Sequence, residues 1–156
     1  MESFGPLVLR AALGLMFVAH GTQKLFGSFG GGGLSGTAAY FETLGLSPGL
    51  PLAVTVGVAE FGGGVLLLAG LFTRHVAAVL IIVMLGAIWN VHFANGFFIN
   101  WAGTPGRGHG VEFNVVVMGG LLCLAFTGPG AGSIDHRRAR SAEADAAGRA
   151  RLRGKL

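Results

Sequence analysis

The chain of 156 residues has room for one domain, and 52% of it is apolar against 12% charged, with a mean hydropathy of +0.67. An ordinary soluble domain carries about 25% charged residues, and half that charge leaves too little polar surface to coat a globule in water. The net charge of +4 could suggest nucleic-acid binding, but most of the positive residues lie after residue 136 and describe a tail.

About 20 residues at 1.5 Å each cross the hydrocarbon core of a bilayer. The first stretch of that length, residues 5–26, contains Arg10, His20 and Lys24. It lacks the basic start and unbroken apolar run of a cleaved signal peptide, so it reads as a spanning helix. Residues 27–49 form a long outer loop. Its SFGGGGLSG part is expected to be flexible, and Thr37 to Leu46 to form a short amphipathic helix at the interface, with Thr37 as its cap. The second span, 50–72, carries Glu60 as its one charge. The Thr73-Arg74-His75 turn is tight enough to make the second and third spans antiparallel neighbours. The third span, 76–99, holds no Asp, Glu, Lys or Arg, and the TPGRGHG segment beyond it reads as an ordered outer loop. A fourth, 111–127, opens with Glu112 and is marginal in length. GPGAGS then ends the helix, and residues 136–156 read as a basic, disordered cytoplasmic tail able to touch anionic lipid.

The predicted fold is therefore all-α: an integral membrane four-helix bundle over residues 1–135, with antiparallel neighbours. On that topology nine Lys and Arg residues fall on the side of the termini, and only Lys24 and Arg107 on the other. The positive-inside rule then places both termini in the cytoplasm.

Ionisable groups in hydrocarbon cost a few kcal/mol and normally face the bundle interior. His20 and His92 each lie six residues from the outer end of a span, roughly 9 Å down, and Glu60 lies roughly 15 Å down, near the midplane. His20, Gln23 and Lys24 share one helix face, as do His92 and Asn95. Asn90 is turned about 200° from His92 and is expected to face elsewhere. The pattern suggests a ligand-binding pocket in the outer half, lined by His20, Gln23, Lys24, Glu60, His92, Asn95 and Glu112. Trp89, Phe93 and Trp101 would supply aromatic walls. Lys24 is expected to pair with Glu112, and an isolated Glu60 to stay neutral.

A structural role competes with this reading. Gln23, Asn90 and Asn95 fit interhelical hydrogen-bonding, and the spacing of Ala59 and Gly63 predicts close helix packing around Glu60 instead of a wide channel. Arg10 is expected to snorkel to the inner headgroups. His75, His109 and His136 are expected to be solvated. Cys123 reads as a buried small hydrophobe; as a lone cysteine it forbids an internal disulfide. His20, His92 and Glu60 or Glu112 are metal-ligand types, but they show no local metal spacing, and no metal is assigned. FGGGGLSG lacks the GK[ST] ending of a phosphate loop, and haem ligation between His20 and His92 is set aside.

The opening LVLRAALGLMFVAHGTQKLFG resembles the first helix of the DoxX family of small bacterial membrane proteins, with its LR…G…F…HG…K…G pattern. GLSGTAAYFETLGLSP, AEFGGGVLLLAGLFTR and GPGAGSID are similar to further DoxX segments, in matching order over about residues 7–135. The resemblance implies a four-helix fold in the bacterial plasma membrane and a link to quinone-dependent oxidoreductases, with His20, Lys24, Glu60 and His92 at recurrent positions. The chain departs from the family pattern in its 30–33 glycine run and its long basic tail.

The expected function is that of a membrane component of a redox system, binding quinone or supporting a partner oxidoreductase. A non-enzymatic scaffold or assembly subunit is the alternative, and a small-solute or proton conduit the third. No cofactor is evident beyond a quinone. The expected partners are the lipid bilayer and a protein, a redox enzyme foremost; a homo-oligomer is compatible with the sequence, and nucleic acid is not expected.

Overall fold

The computed structural model describes residues 4–153, with side chains described as far as residue 149. Those residues form six α-helices and no strand: α1 (Phe4–Phe26), α2 (Gly33–Thr43), α3 (Gly49–Ala69), α4 (Thr73–Ala87), α5 (Glu112–Thr127) and α6 (Ile134–Arg153). A π turn over Ile88–His92 and a 3-10 turn over Phe93–Asn95 carry α4 on to Asn95.

Three helices are long and apolar enough to cross a membrane: Phe4–Phe26, Gly49–Ala69 and Thr73–Asn95, of 23, 21 and 23 residues. The expected fourth span is the shorter apolar helix α5, 16 residues long. It begins one residue later than expected: Gly110 N donates to Phe98 O (3.1 Å), Val111 N to Gly96 O (3.0 Å) and Glu112 N to Phe97 O (2.8 Å), so the chain enters α5 straight from a paired loop. The same pairing ends the third span at Asn95 instead of residue 99.

One apolar core joins these helices. Leu13 and Phe17 of α1, Leu67 of α3, Leu80 and Met84 of α4, and Leu121 and Leu124 of α5 are buried together. α1 packs on α3, α3 on α4, α4 on α5, and α5 back on α1. The closest approach is between α1 and α3, where small residues let backbones touch. A side chain at Gly21 would overlap the Phe61 backbone, and a Cβ at Gly64 would lie 2.7 Å from Gly14 O. The expected tight packing around Glu60 is therefore made mainly through Gly14, Gly21 and Gly64, while Gly63 faces Leu80 of α4.

The turn from α3 to α4 shows how the far end of the chain is held. Gly70, at φ 65°, closes α3 with paired bonds, Gly70 N to Leu67 O (3.1 Å) and Leu71 N to Leu66 O (3.0 Å). The Asp135 carboxylate then accepts from Phe72 N and Thr73 N, each at 2.9 Å, and so caps α4 from the start of α6. Ser133 Oγ accepts from His136 N at 3.0 Å and caps α6 itself. Asp135 thereby fixes the start of α6 to the α3–α4 turn; the segment expected to be a disordered tail is helical over Ile134–Arg153, and residues 154–156 lie outside the described residues.

Arg10 does not snorkel. It is 1% exposed, and its Nη2 donates to Ala131 O at 3.4 Å. The guanidinium occupies the space that a side chain at Gly70 would fill. Cys123, expected to be buried, is exposed on α5.

Candidate functional site

α1 brings Lys24 to its last turn, and α3 holds Glu60 eleven residues past its own start. Because α1 and α3 are the closest-packed pair, the two side chains meet: Lys24 Nζ lies 2.6 Å from Glu60 Oε2, with the side chains 24% and 8% exposed. Such a charge-assisted bond is short and strong, and each group offsets the cost of burying the other. The expected partner of Lys24 was Glu112, with Glu60 isolated. Instead Glu60 takes the lysine, and Glu112 Oε2 accepts from Ile99 N at 3.0 Å. Glu112 sits at the first turn of α5, where it fastens the outer loop.

A cavity of about 690 Å³ opens beside the ion pair, walled by α1, α2, α3 and α4. Its polar lining includes Gln23, Lys24, Glu60, Asn90 and His92, and Val56 and Val83 are among its apolar residues. α2 contributes Thr37, Tyr40 and Phe41. Thr37 does not cap α2. It lies within the helix and donates its hydroxyl to Lys24 O at 3.2 Å, fixing α2 beside the end of α1. The glycine-rich run is ordered as well: Gly31 and Gly32 line the cavity, and Gly31 N donates to Ser28 O at 3.1 Å.

His92 faces the cavity with a defined tautomer. Its Nδ1 is 2.8 Å from His109 O, and because a carbonyl only accepts, Nδ1 carries the proton. In the neutral ring Nε2 is then the accepting atom. His109 is exposed in its loop, as expected, and also accepts from Asn100 N through its own Nδ1 at 3.2 Å. Asn100 Nδ2 donates to Thr104 O (3.0 Å) and Arg107 O (2.9 Å), bonds that tie the 100–110 loop to itself.

Of the seven residues proposed for the pocket, the structure brings Gln23, Lys24, Glu60 and His92 to the cavity. His20 lies on the exposed surface of α1, tilted against Phe113 with ring centroids 6.5 Å apart. Asn95 donates to Val91 O at 2.8 Å and stays outside the cavity, as does Glu112. The proposed walls face outward: Trp89, Phe93 and Trp101 are 77%, 66% and 79% exposed. Trp89 and Phe93 stack on each other, with centroids 6.0 Å apart. Trp101 lies in the loop beyond the helix, and within it the π turn over Ile88–His92 departs from the 3.6-residue repeat assumed for the faces of Asn90 and His92. The same turn brings Asn90 to the cavity that His92 lines, although its Nδ2 also donates to Gly86 O at 2.8 Å.

Sequence reasoning missed Thr37, Tyr40, Asn90 and Gly86 as lining residues. The signal for the first two was present in the amphipathic pattern of α2, which was placed at the interface and not against the bundle. Among the described residues, no group of three His, Cys, Asp or Glu side chains could hold a metal ion.

A family model described as DoxX matches residues 5–93. Inner membrane protein YqjF of Escherichia coli (strain K12) is 32% identical over 139 residues, covering 86% of this chain and 92% of its own length. Membrane protein Rv3486 of Mycobacterium tuberculosis is 32% identical over 152 residues, covering 92% of this chain and 89% of its own. A Bacillus subtilis protein named "Putative oxidoreductase CatD" is 32% identical over 124 residues, covering 80% and 79%. No solved structure matches the chain.

Proposed function

The chain belongs to the DoxX family and is a multi-pass protein of the bacterial inner membrane, and from that premise we propose that it is the quinone-binding component of a redox system. The observation that carries this reading is the Lys24–Glu60 pair, its carboxylate buried and its ammonium partly exposed, at a largely apolar cavity inside a membrane protein. An ammonium donates to a quinone carbonyl, and a carboxylate accepts from a quinol hydroxyl, so one pair serves both redox states. His92, through Nε2, is a third group able to exchange a proton at the cavity. Quinone takes up two electrons and two protons to become quinol; the electrons come, in this reading, from a partner oxidoreductase, consistent with the oxidoreductase name of one relative. α1, α3, α4 and α5 form an antiparallel four-helix bundle with both termini in the cytoplasm, which sets the cavity toward the outer leaflet.

Titration of the purified protein in detergent with a tail-less benzoquinone tests the reading. Saturable binding that weakens at least about tenfold, near 1.4 kcal/mol, in Glu60→Gln and in Lys24→Met is expected. Absence of saturable binding to the unaltered protein overturns it.

A second reading, a non-enzymatic scaffold, draws support from a different observation. Asn90 and Asn95 each donate to a carbonyl four residues back in their own helix and Arg10 donates to Ala131 O across the fold, so all three are engaged in holding the chain's own backbone. Co-purification of a stoichiometric partner with no quinone binding favours it.

A further inference from the structure

We propose that the cavity holds only the head of its ligand, and that the apolar tail runs out sideways into the bilayer between α2 and α4, over Gly36 and Gly86. The inference rests on the quinone reading above and adds where the rest of the molecule goes.

Three observations carry it. α2 packs against α1 and α3 but makes little contact with α4, so the wall of the cavity is open along that line. The residues flanking the gap face outward: Ile82 of α4 lines the cavity and is 69% exposed, and Tyr40 of α2 lines it and is 46% exposed. Ile82 stands nine residues past the start of α4, roughly 14 Å along a helix that crosses a core of about 30 Å, so the gap opens at hydrocarbon depth and not at the aqueous end.

The third observation concerns the two glycines. Gly36 and Gly86 both line the cavity, both lie inside helices, and a Cβ added at either meets nothing within 4 Å. Neither has the positive φ that calls for glycine. Within a helix, glycine costs about 1 kcal/mol relative to alanine. At Gly21 that cost is repaid by contact with α3; at Gly36 and Gly86 no neighbour among the described residues repays it. The space they leave continues the cavity to the outside, and a flexible chain of methylenes or isoprene units fits it. α2 is no lid in this arrangement, because Thr37 ties it to Lys24 O and Glu42 Oε1 accepts from Gly49 N at 3.4 Å.

The test compares two benzoquinones with the same head, one tail-less and one with a ten-carbon tail, titrated onto the full chain in lipid nanodiscs. A tail concentrates the probe in lipid. If the bound tail still lies in hydrocarbon, apparent affinity rises with the tail; if the tail must leave the lipid, apparent affinity falls. The expected result is tighter apparent binding of the tailed probe by at least about tenfold, near 1.4 kcal/mol. Gly86→Phe, which fills the gap, should return the tailed probe to within about threefold of the tail-less one, near 0.7 kcal/mol. Gly86→Ala checks that the position accepts a side chain and should keep most of the difference. Equal or weaker binding of the tailed probe, or loss of both probes in equal proportion in Gly86→Phe, overturns the tail path while leaving the head site standing. Binding of neither probe overturns both readings. Equal competition by an alkyl phospholipid without a quinone head assigns the gap to bulk lipid and also overturns the proposal.

Discussion

Lys24 and Glu60, 36 residues apart in the chain, are joined at 2.6 Å across the most closely packed pair of helices in the molecule. The cation is one quarter exposed and the carboxylate nearly buried, so the two members are not equally dependent on each other. Breaking a fully buried pair costs about 3–5 kcal/mol, because a charge is left uncompensated. Lys24→Leu strands the more buried Glu60 and is expected to be the more destabilising single change. Glu60→Leu leaves a lysine that can still reach the cavity mouth. The double variant restores neutrality and should recover most of the loss. Thermal unfolding in detergent, followed by circular dichroism, checks the order; additive effects in the double variant would show that the pair is not coupled.

Close packing of α1 on α3 positions that pair, and Gly21 is its tightest point. Gly21→Ala adds one methyl group where the Phe61 backbone already stands, and overpacking of this kind costs about 1–3 kcal/mol. The helices must separate, which lengthens the Lys24–Glu60 contact. The expected outcome is a lower unfolding temperature together with weaker quinone binding, read in the same preparation. Gly62→Ala, inside α3 at a position with nothing within 4 Å, serves as the control and is expected to keep or raise the unfolding temperature, since alanine favours the helix.

Much of this architecture is legible in the sequence, for a physical reason. Bilayer thickness imposes a length on apolar runs, so α1, α3 and α4 announce themselves, and a carboxylate in such a run marks an interior position. Partnership is harder to read. Whether Lys24 meets Glu60 or Glu112 depends on which helices are neighbours and how near they come, which glycines on two helices decide together. His92 and Asn90 line the cavity together while Asn95 does not, an arrangement hidden from the sequence because nothing in IWNVH signals that the helix widens there. Arg10 was sent to the headgroups because its acceptor, Ala131 O, lies 121 residues away. The docking of the segment's start, through Asp135 onto the first turn of α4, joins positions more than 60 residues apart and is likewise hidden from the sequence.

The outward-facing aromatics lead to a prediction of indifference. Trp89 and Trp101 are 77% and 79% exposed, lie at and beyond the C-terminal end of the third span, and fit the aromatic belt that membrane proteins place at headgroup level. Trp89→Phe and Trp101→Phe are expected to leave quinone affinity within about twofold, about 0.4 kcal/mol. In nanodiscs, headgroup-region quenchers should reduce the fluorescence of both tryptophans more than quenchers deep in the acyl chains. A large loss of quinone affinity in either variant would return these rings to the site.

Asp135 carries a cap for α4 and is also the carboxylate that acts on the buried Arg10, so its removal tests the closure of the inner end. Losing a capping carboxylate costs about 1 kcal/mol, up to about 2 where two N–H groups are freed, as at Phe72 and Thr73. Asp135→Asn keeps an oxygen to accept from one of them and should cost less than Asp135→Ala. The Arg10 guanidinium has Nε and Nη1 without a hydrogen-bond partner among the described residues, so it depends on charge nearby more than on contacts. Asp135→Ala should therefore destabilise more than loss of the cap alone, and Arg10→Met should reduce that penalty when the two are combined. The measurement is a double-variant cycle on the unfolding midpoint, for which residues sharing a network give coupling of about 0.5–3 kcal/mol. Coupling near zero would mean that Asp135 acts on the α4 terminus alone. Because the inner end lies across the bundle from the Lys24–Glu60 cavity, none of these variants should alter quinone affinity in protein that remains folded.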